Sequence, residues 1–186
     1  MGRLIYSVIT SLDGYVNDRD GDFSWAMPDE EVHAFVNDDM RSAGTHLYGR
    51  RLYEVMQIWQ TFGLDEDDSP ITKDFGRLWR AADKVVYSTT LNDVSTPKTR
   101  LERTFDPEVV SRLVADARDD VIVGGPGLAA HALRAGLVDV LSAILVPVVV
   151  GSGTAFLPEG LRLTLRLEHE HRFANGFLAL RYAVGR

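Results

Sequence analysis

Two short stretches carry the residues best suited to hold an anion. Gly49-Arg50-Arg51 stands where a strand gives way to a helix. Free backbone N–H groups and the helix dipole attract negative charge there, and two arginines add bidentate donors. The pattern fits a phosphorylated cofactor, and it also fits an exposed first helical turn. Gly124-Gly125-Pro126-Gly127 follows a later strand, where glycines let backbone approach a ligand closely. With Leu128, Ala129 and Ala130 it matches G-x-G-x-x-A in form. A dinucleotide fingerprint, however, follows the first strand and needs an acid about 20 residues on, whereas this stretch follows the fourth strand and meets only apolar residues near Leu145. Asp13, in Ser11-Leu12-Asp13-Gly14, is an acid that either touches a substrate or shapes a turn.

Other chemistries are excluded or disfavoured by composition and spacing. The chain contains no cysteine, so disulfides, thiolate metal sites and a cysteine nucleophile are ruled out. His169 and His171 share one face of a predicted strand but find no third ligand in the sequence, so no metal site is expected. Gly151-Ser152-Gly153 is too short for a nucleophile elbow. In 186 residues, 27 acids stand against 20 lysines and arginines, a net charge of −7 that argues against nucleic acid as a partner. The longest apolar run, Leu137 to Val150, contains Asp139 and falls short of the roughly 20 residues of a membrane span. Asp13 interrupts the N-terminal apolar stretch before a signal sequence could form, and a cytoplasmic location is expected.

The elements that must position these residues follow from the apolar periodicity. Leu4 to Thr10, Thr45 to Tyr48, Lys84 to Ser88 and Val121 to Val123 read as buried strands. Helical spacing covers Pro28 to Ser42, Arg50 to Trp59, Pro70 to Ala82, Pro107 to Arg118 and Leu128 to Ala135. Val138 to Val150 is expected as a strand, and Leu161 to Phe173 with Phe177 to Val184 as a hairpin about Asn175-Gly176. The order predicts one α/β domain over residues 1–186: a mostly parallel sheet, helices on both faces and an antiparallel C-terminal edge. In such sheets ligands bind beyond the C-terminal strand ends, so Ser11 to Gly14, Gly49 to Arg51, Ser88-Thr89 and Gly124 to Gly127 are expected to converge. The free edge predicts a homodimer.

Five stretches in this order resemble the dihydrofolate-reductase-like reductases, and most closely the reductase domain of the bifunctional riboflavin-biosynthesis deaminase/reductase. They are Ser11 to Gly14, Tyr48 to Tyr53, Lys84 to Leu91, Val123-Gly124-Gly125 with Ala135 to Asp139, and Pro147 to Gly153. The resemblance implies a three-layer α/β fold and NADPH as cofactor. By position it assigns Gly49, Arg50 and Arg51 to cofactor phosphates and Ser88 and Thr89 to the region of the ribose 2′-phosphate. Gly124, Gly125, Gly127 and Leu128 fall on the pyrophosphate and nicotinamide side, and the paired glycines of these reductases are often joined by a cis peptide. Trp25 to Pro28 with Phe35 is similar to the segment that holds the folate-site carboxylate, which places Glu31 as a candidate proton relay beside Asp13. Glu31 also suits the dipole of a first helical turn. Ser11, Asp13, Trp25 and Phe35 are the expected substrate pocket.

The resemblance implies an NADPH-dependent reductase that passes hydride to a pteridine-, folate- or aminouracil-like heterocycle. The alternative is a noncatalytic nucleotide-binding module that keeps the reductase fold.

Overall fold

The computed structural model describes residues 2–185. Strands β1 (Leu4–Ser11), β3 (Ala43–Gly49), β4 (Asp83–Tyr87), β5 (Thr99–Glu102), β6 (Asp120–Gly124) and β7 (Val140–Val146) run parallel. Strands β10 (Leu178–Val184) and β9 (Leu165–Arg172) complete the sheet antiparallel. Its order is β5-β4-β3-β6-β1-β7-β10-β9, and β2 (Tyr15–Asp18) pairs with β8 (Gly153–Ala155) in a separate ribbon. The helices are α1 (Glu30–Arg41), α2 (Arg50–Met56), α3 (Pro70–Ala81), α4 (Pro107–Asp116) and α5 (Pro126–Arg134). This is the three-layer α/β arrangement expected from the sequence.

Alternation along the strands divides the core between the two faces. Leu4, Tyr6, Val121 and Val123 point into one cluster with Val110 and Val114 of α4 and Leu128, Ala132 and Leu133 of α5. Ile5 and Ile122 point the other way, against Met40 of α1 and Phe75 and Trp79 of α3. Both faces are covered, so these strands read as continuous apolar runs rather than as an alternating pattern. Each fully buried aliphatic side chain contributes about 1.5–3 kcal/mol before entropy is counted.

Helix starts are fixed by side chains that satisfy the free N–H groups of the first turn. Asp29 accepts from Val32 N at 3.0 Å, Ser69 from Thr72 N at 3.1 Å, and Asp106 from Glu108 N and Val109 N. Pro70, Pro107 and Pro126 occupy the first turn of their helices, where a missing N–H costs nothing. Arg181 of β10 meets Asp39 of α1 at 2.6 Å, and Ser142 of β7 donates to the same carboxylate, locking α1 across the antiparallel side.

Three boundaries differ from the sequence expectation. Strand β7 stops at Val146 because Pro147 has no N–H for the ladder, and Val149 is exposed. The segment before β9 is not a strand: Thr164 O accepts from Gly185 N at 2.8 Å, but Leu161 and Leu163 pack on the α4–α5 cluster. The helix begun at Arg50 tightens to a 3₁₀ turn over Gln57–Gln60.

Candidate functional site

The neighbouring strands β4, β3, β6 and β1 deliver their C-terminal loops side by side along one edge of the sheet. Between β3 and β6 two glycine turns pack against each other. A Cβ on Gly124 would lie 2.5 Å from Leu52 Cδ2, so this position admits only the bare backbone while Leu52 stays where it is. Gly125 has φ +88°, a region that costs other residues roughly 1–2 kcal/mol, and it is the N-cap of α5. A Cβ there would sit 3.9 Å from Gly49 N, so the start of α2 and the start of α5 stand together. No cis peptide occurs among the described residues, so the Gly124–Gly125 bond is trans, unlike the pattern the resemblance implies.

Helix geometry leaves the N–H groups of Gly127 and Leu128 without an acceptor inside α5, since Pro126 has none and Ala129 N already bonds Gly125 O. Gly127 faces open space, with nothing within 4 Å of the point where a Cβ would stand. The Leu128 side chain is buried beneath Gly49, so this residue offers a ligand only its backbone. These positions separate stability from binding. Gly127→Ala is expected to raise fold stability by up to about 1 kcal/mol, through helix propensity. If these turns hold a nucleotide, it is also expected to weaken that binding several-fold, because the methyl group would take up the open space beside the free N–H groups. Denaturant unfolding alongside a nucleotide titration checks both.

The loop after β4 forms the next part of the edge. Ser88 Oγ accepts from Thr90 N at 3.2 Å and Leu91 N at 3.0 Å, closing a tight turn. Arg50 reaches this turn, donating to Thr90 Oγ1 at 2.8 Å, and also pairs with Glu54 at 2.7 Å. Among the described residues Arg51 has no ion pair or side-chain hydrogen bond, and it is exposed. Thr89 is exposed at the tip of the turn. Sequence reasoning missed Thr90 and Arg103, the latter donating to carbonyls of this turn. Only the polar run Ser88-Thr89-Thr90 pointed toward the first of them.

The two candidate acids are both engaged in holding loops. Asp13 Oδ1 accepts from Ser11 Oγ at 2.7 Å and Val150 N at 3.2 Å, while Oδ2 accepts from Gly151 N at 2.7 Å. The Ser11 hydroxyl foremost, then these backbone N–H groups, hold its carboxyl below the usual range, so it stays ionised at neutral pH. Of the two uses open to Asp13, the structure displays the turn-shaping one, tying the loop after β1 to the loop after β7. Glu31 is exposed rather than desolvated, and its Oε2 accepts from Ala174 N at 3.1 Å in the β9–β10 turn.

Phe35 does not face the glycine turns. Its ring stacks on His171 at 5.7 Å and meets Phe173 edge-on at 5.3 Å, on the antiparallel side of the sheet. Trp25 is half-buried against the cluster of Val32, Val146, Phe173 and Phe177, near the end of β7, with Nε1 donating to Asp22 O at 3.2 Å. Thus Ser11 and Asp13 are joined at the ends of β1 and β7, while Trp25 and Phe35 pack against one apolar cluster that includes Phe173. An aromatic wall that the sequence did not single out stands beside α1, where His33 lies 5.8 Å from Trp59 and 5.2 Å from Phe75. Burial pushes the His33 imidazole pKa down. No group of three potential metal ligands occurs among the described residues.

Residues 3–179 match the family model described as RibD C-terminal domain. The Bacillus subtilis (strain 168) protein YyaP, itself uncharacterized, is 24% identical over 181 residues, spanning 97% of this chain and 94% of that protein. Among solved structures, a Shewanella sp. PV-4 protein described as a riboflavin biosynthesis protein superposes with a TM-score of 0.75 at 19% identity, covering 100% of both chains. The Thermotoga maritima diaminohydroxyphosphoribosylaminopyrimidine deaminase/5-amino-6-(5-phosphoribosylamino)uracil reductase gives a TM-score of 0.67 at 13% identity, over 99% of this chain and 57% of that one. These likenesses extend along the sheet and its loops from end to end, and by the match over residues 3–179 the chain belongs to the RibD C-terminal domain family.

Proposed function

We propose that the protein is a reductase that uses NADPH to reduce a small heterocycle of the aminouracil, pteridine or folate kind. The observation that carries this reading is the meeting of the Gly49, Gly124–Gly125 and Ser88–Thr90 loops at the ends of adjacent strands, with a glycine-opened α5 between them. The residues fit a nucleotide: Gly127 leaves room beside free N–H groups, and Arg50 and Arg51 supply cationic donors at the neighbouring turn. When bound, NADPH supplies the hydride. The protein orients donor and acceptor and shields them from water. Family membership supports a reductase, and the Thermotoga relative acts on an aminouracil.

One observation favours the alternative of a noncatalytic nucleotide-binding module. Asp13 and Glu31 both accept backbone N–H bonds, so neither is a free proton donor in this arrangement. In the reductase reading the proton then comes from solvent or from the substrate's own ring system. Titration with NADPH and NADH, followed by absorbance at the nicotinamide band with pterins, folates and aminouracils, separates the readings. Binding with oxidation supports the reductase, binding without oxidation by any of them supports the module, and no binding of either nucleotide removes both.

A further inference from the structure

Arg103 follows β5 directly, and because β5 runs parallel to β4 its side chain lies at the C-terminal end of the sheet. Its Nη1 donates to Ser88 O at 3.1 Å and to Leu91 O, and its Nη2 lies 3.4 Å from Asn92 O. One guanidinium therefore binds three carbonyls of a single five-residue turn. From within, Ser88 Oγ holds the Thr90 and Leu91 N–H groups, and Ser88 N is tied to Glu102 O at 2.9 Å. The turn so held presents Thr90 Oγ1 to Arg50. Leu91 packs on the Tyr48–Tyr53–Val86 cluster and anchors the other side.

We propose that Arg103 is a positioning residue that preforms the Ser88–Asn92 turn as a seat for a ribose phosphate, and so sets the preference for NADPH over NADH. The inference rests on the cofactor reading above. A rigid fork meeting several carbonyls at once suits arginine and not lysine, whose single ammonium reaches fewer of them in one geometry. These carbonyls lie near the surface, where water can replace the lost donor, so removing Arg103 disorders the turn more than it destabilises the fold. Arg103 also adds charge on the turn that Arg50 reaches, and two acids of this region are already paired, Glu54 with Arg50 and Glu102 with Arg100. A ligand phosphate gains from both effects, whereas a ribose hydroxyl at the same place gains little.

The test compares the wild-type protein with Arg103→Gln and Arg103→Lys. Dissociation constants for NADPH and NADH are measured by fluorescence, and amide hydrogen exchange is measured without nucleotide. The expected result is about a tenfold weaker NADPH affinity in Arg103→Gln with NADH changed by less than about twofold, the lysine variant falling between. Thr90 and Leu91 amides are expected to exchange about tenfold faster in Arg103→Gln, with the core strands unchanged. Equal losses for the two nucleotides overturn the specificity role. Unchanged exchange at Thr90 and Leu91 overturns the positioning role whatever the nucleotides do. Failure of the wild-type protein to bind either nucleotide is a failure of the cofactor reading, and is seen before any variant is made.

Discussion

Replacing Arg51 with alanine is expected to raise the dissociation constant for NADPH about thirtyfold and that for NADH far less. Arg50 and Arg51 are adjacent in sequence but differ in what they can give a ligand. Arg50 spends its Nε on Glu54 at 2.7 Å and one Nη1 donor on Thr90, so its charge is largely balanced before a ligand arrives. Arg51 has neither tie among the described residues, and its charge remains available at the same helix start. A hydrogen bond to a charged group contributes about 1.5–3 kcal/mol, which corresponds to about a ten- to hundredfold change in affinity. The exposed setting adds a second signature. Raising ionic strength is expected to weaken NADPH binding in the wild type and to have a smaller effect in Arg51→Ala, since screening acts on the interaction the substitution removes. Fluorescence titrations at two salt concentrations check both. A wild-type salt dependence retained in full by the variant would move the phosphate site away from Arg51.

The chain announced some of this arrangement and concealed the rest for identifiable reasons. Helix α1 was readable because its signals are local: Asp29 caps it, Glu30 and Glu31 follow, and Val32, Val36 and Met40 recur on one side. The β9–β10 hairpin was readable through Asn175-Gly176, where Gly176 has φ +89° and Asn175 Oδ1 accepts from Phe177 N. Strand β5 was missed because four residues of mixed polarity carry no periodicity, and its pairing is set by β4. The β2–β8 ribbon was missed because its partners lie far apart in the chain and make only two registered pairs. The glycine turns were legible by composition alone. The work of Arg103 was not, because it acts on main-chain carbonyls, which every sequence possesses. Asp13 and Glu31 were found as acids, but their N–H partners at Gly151 and Ala174 come from loops more than a hundred residues away.

The largest expected effect on stability lies inside the sheet, where paired positions of β3 and β4 bury a histidine beside a lysine. His46 is 1% exposed, its Nδ1 is 2.7 Å from the Tyr48 hydroxyl, and its Nε2 has no partner among the described residues. Tyr48 is buried too, and desolvation pushes its hydroxyl pKa up, so the hydroxyl stays protonated and shares one hydrogen bond with the imidazole. Burial, aided by the charge of Lys84, pushes the His46 pKa down to about 4. The unfolded chain protonates near 6.5, so between those values it holds the extra proton and stability falls as pH falls. The contribution is fully present above about pH 6.5 and gone below about pH 4, a change of about 3 kcal/mol. Lys84 produces the matching slope in alkali. Its Nζ donates to Trp79 O at 3.0 Å and Ala82 O at 2.8 Å at the end of α3, and burial pushes its pKa down to about 8. The cost of its buried charge is therefore fully present below about pH 8 and disappears as pH rises toward about 10.5. Because both slopes have the same sign, urea midpoints of the wild type are expected to climb from pH 4 to 6.5 and to receive a second upward contribution above pH 8. His46→Phe orphans the Tyr48 hydroxyl and lowers stability at every pH, so the slope rather than the absolute value carries the test. In that variant the climb between pH 4 and 6.5 shrinks; Lys84→Met removes the alkaline contribution and, because the Lys84 charge helps hold the His46 pKa down, also lessens the acid climb, and an acid limb unchanged by His46→Phe would assign that response to the half-buried His33 instead.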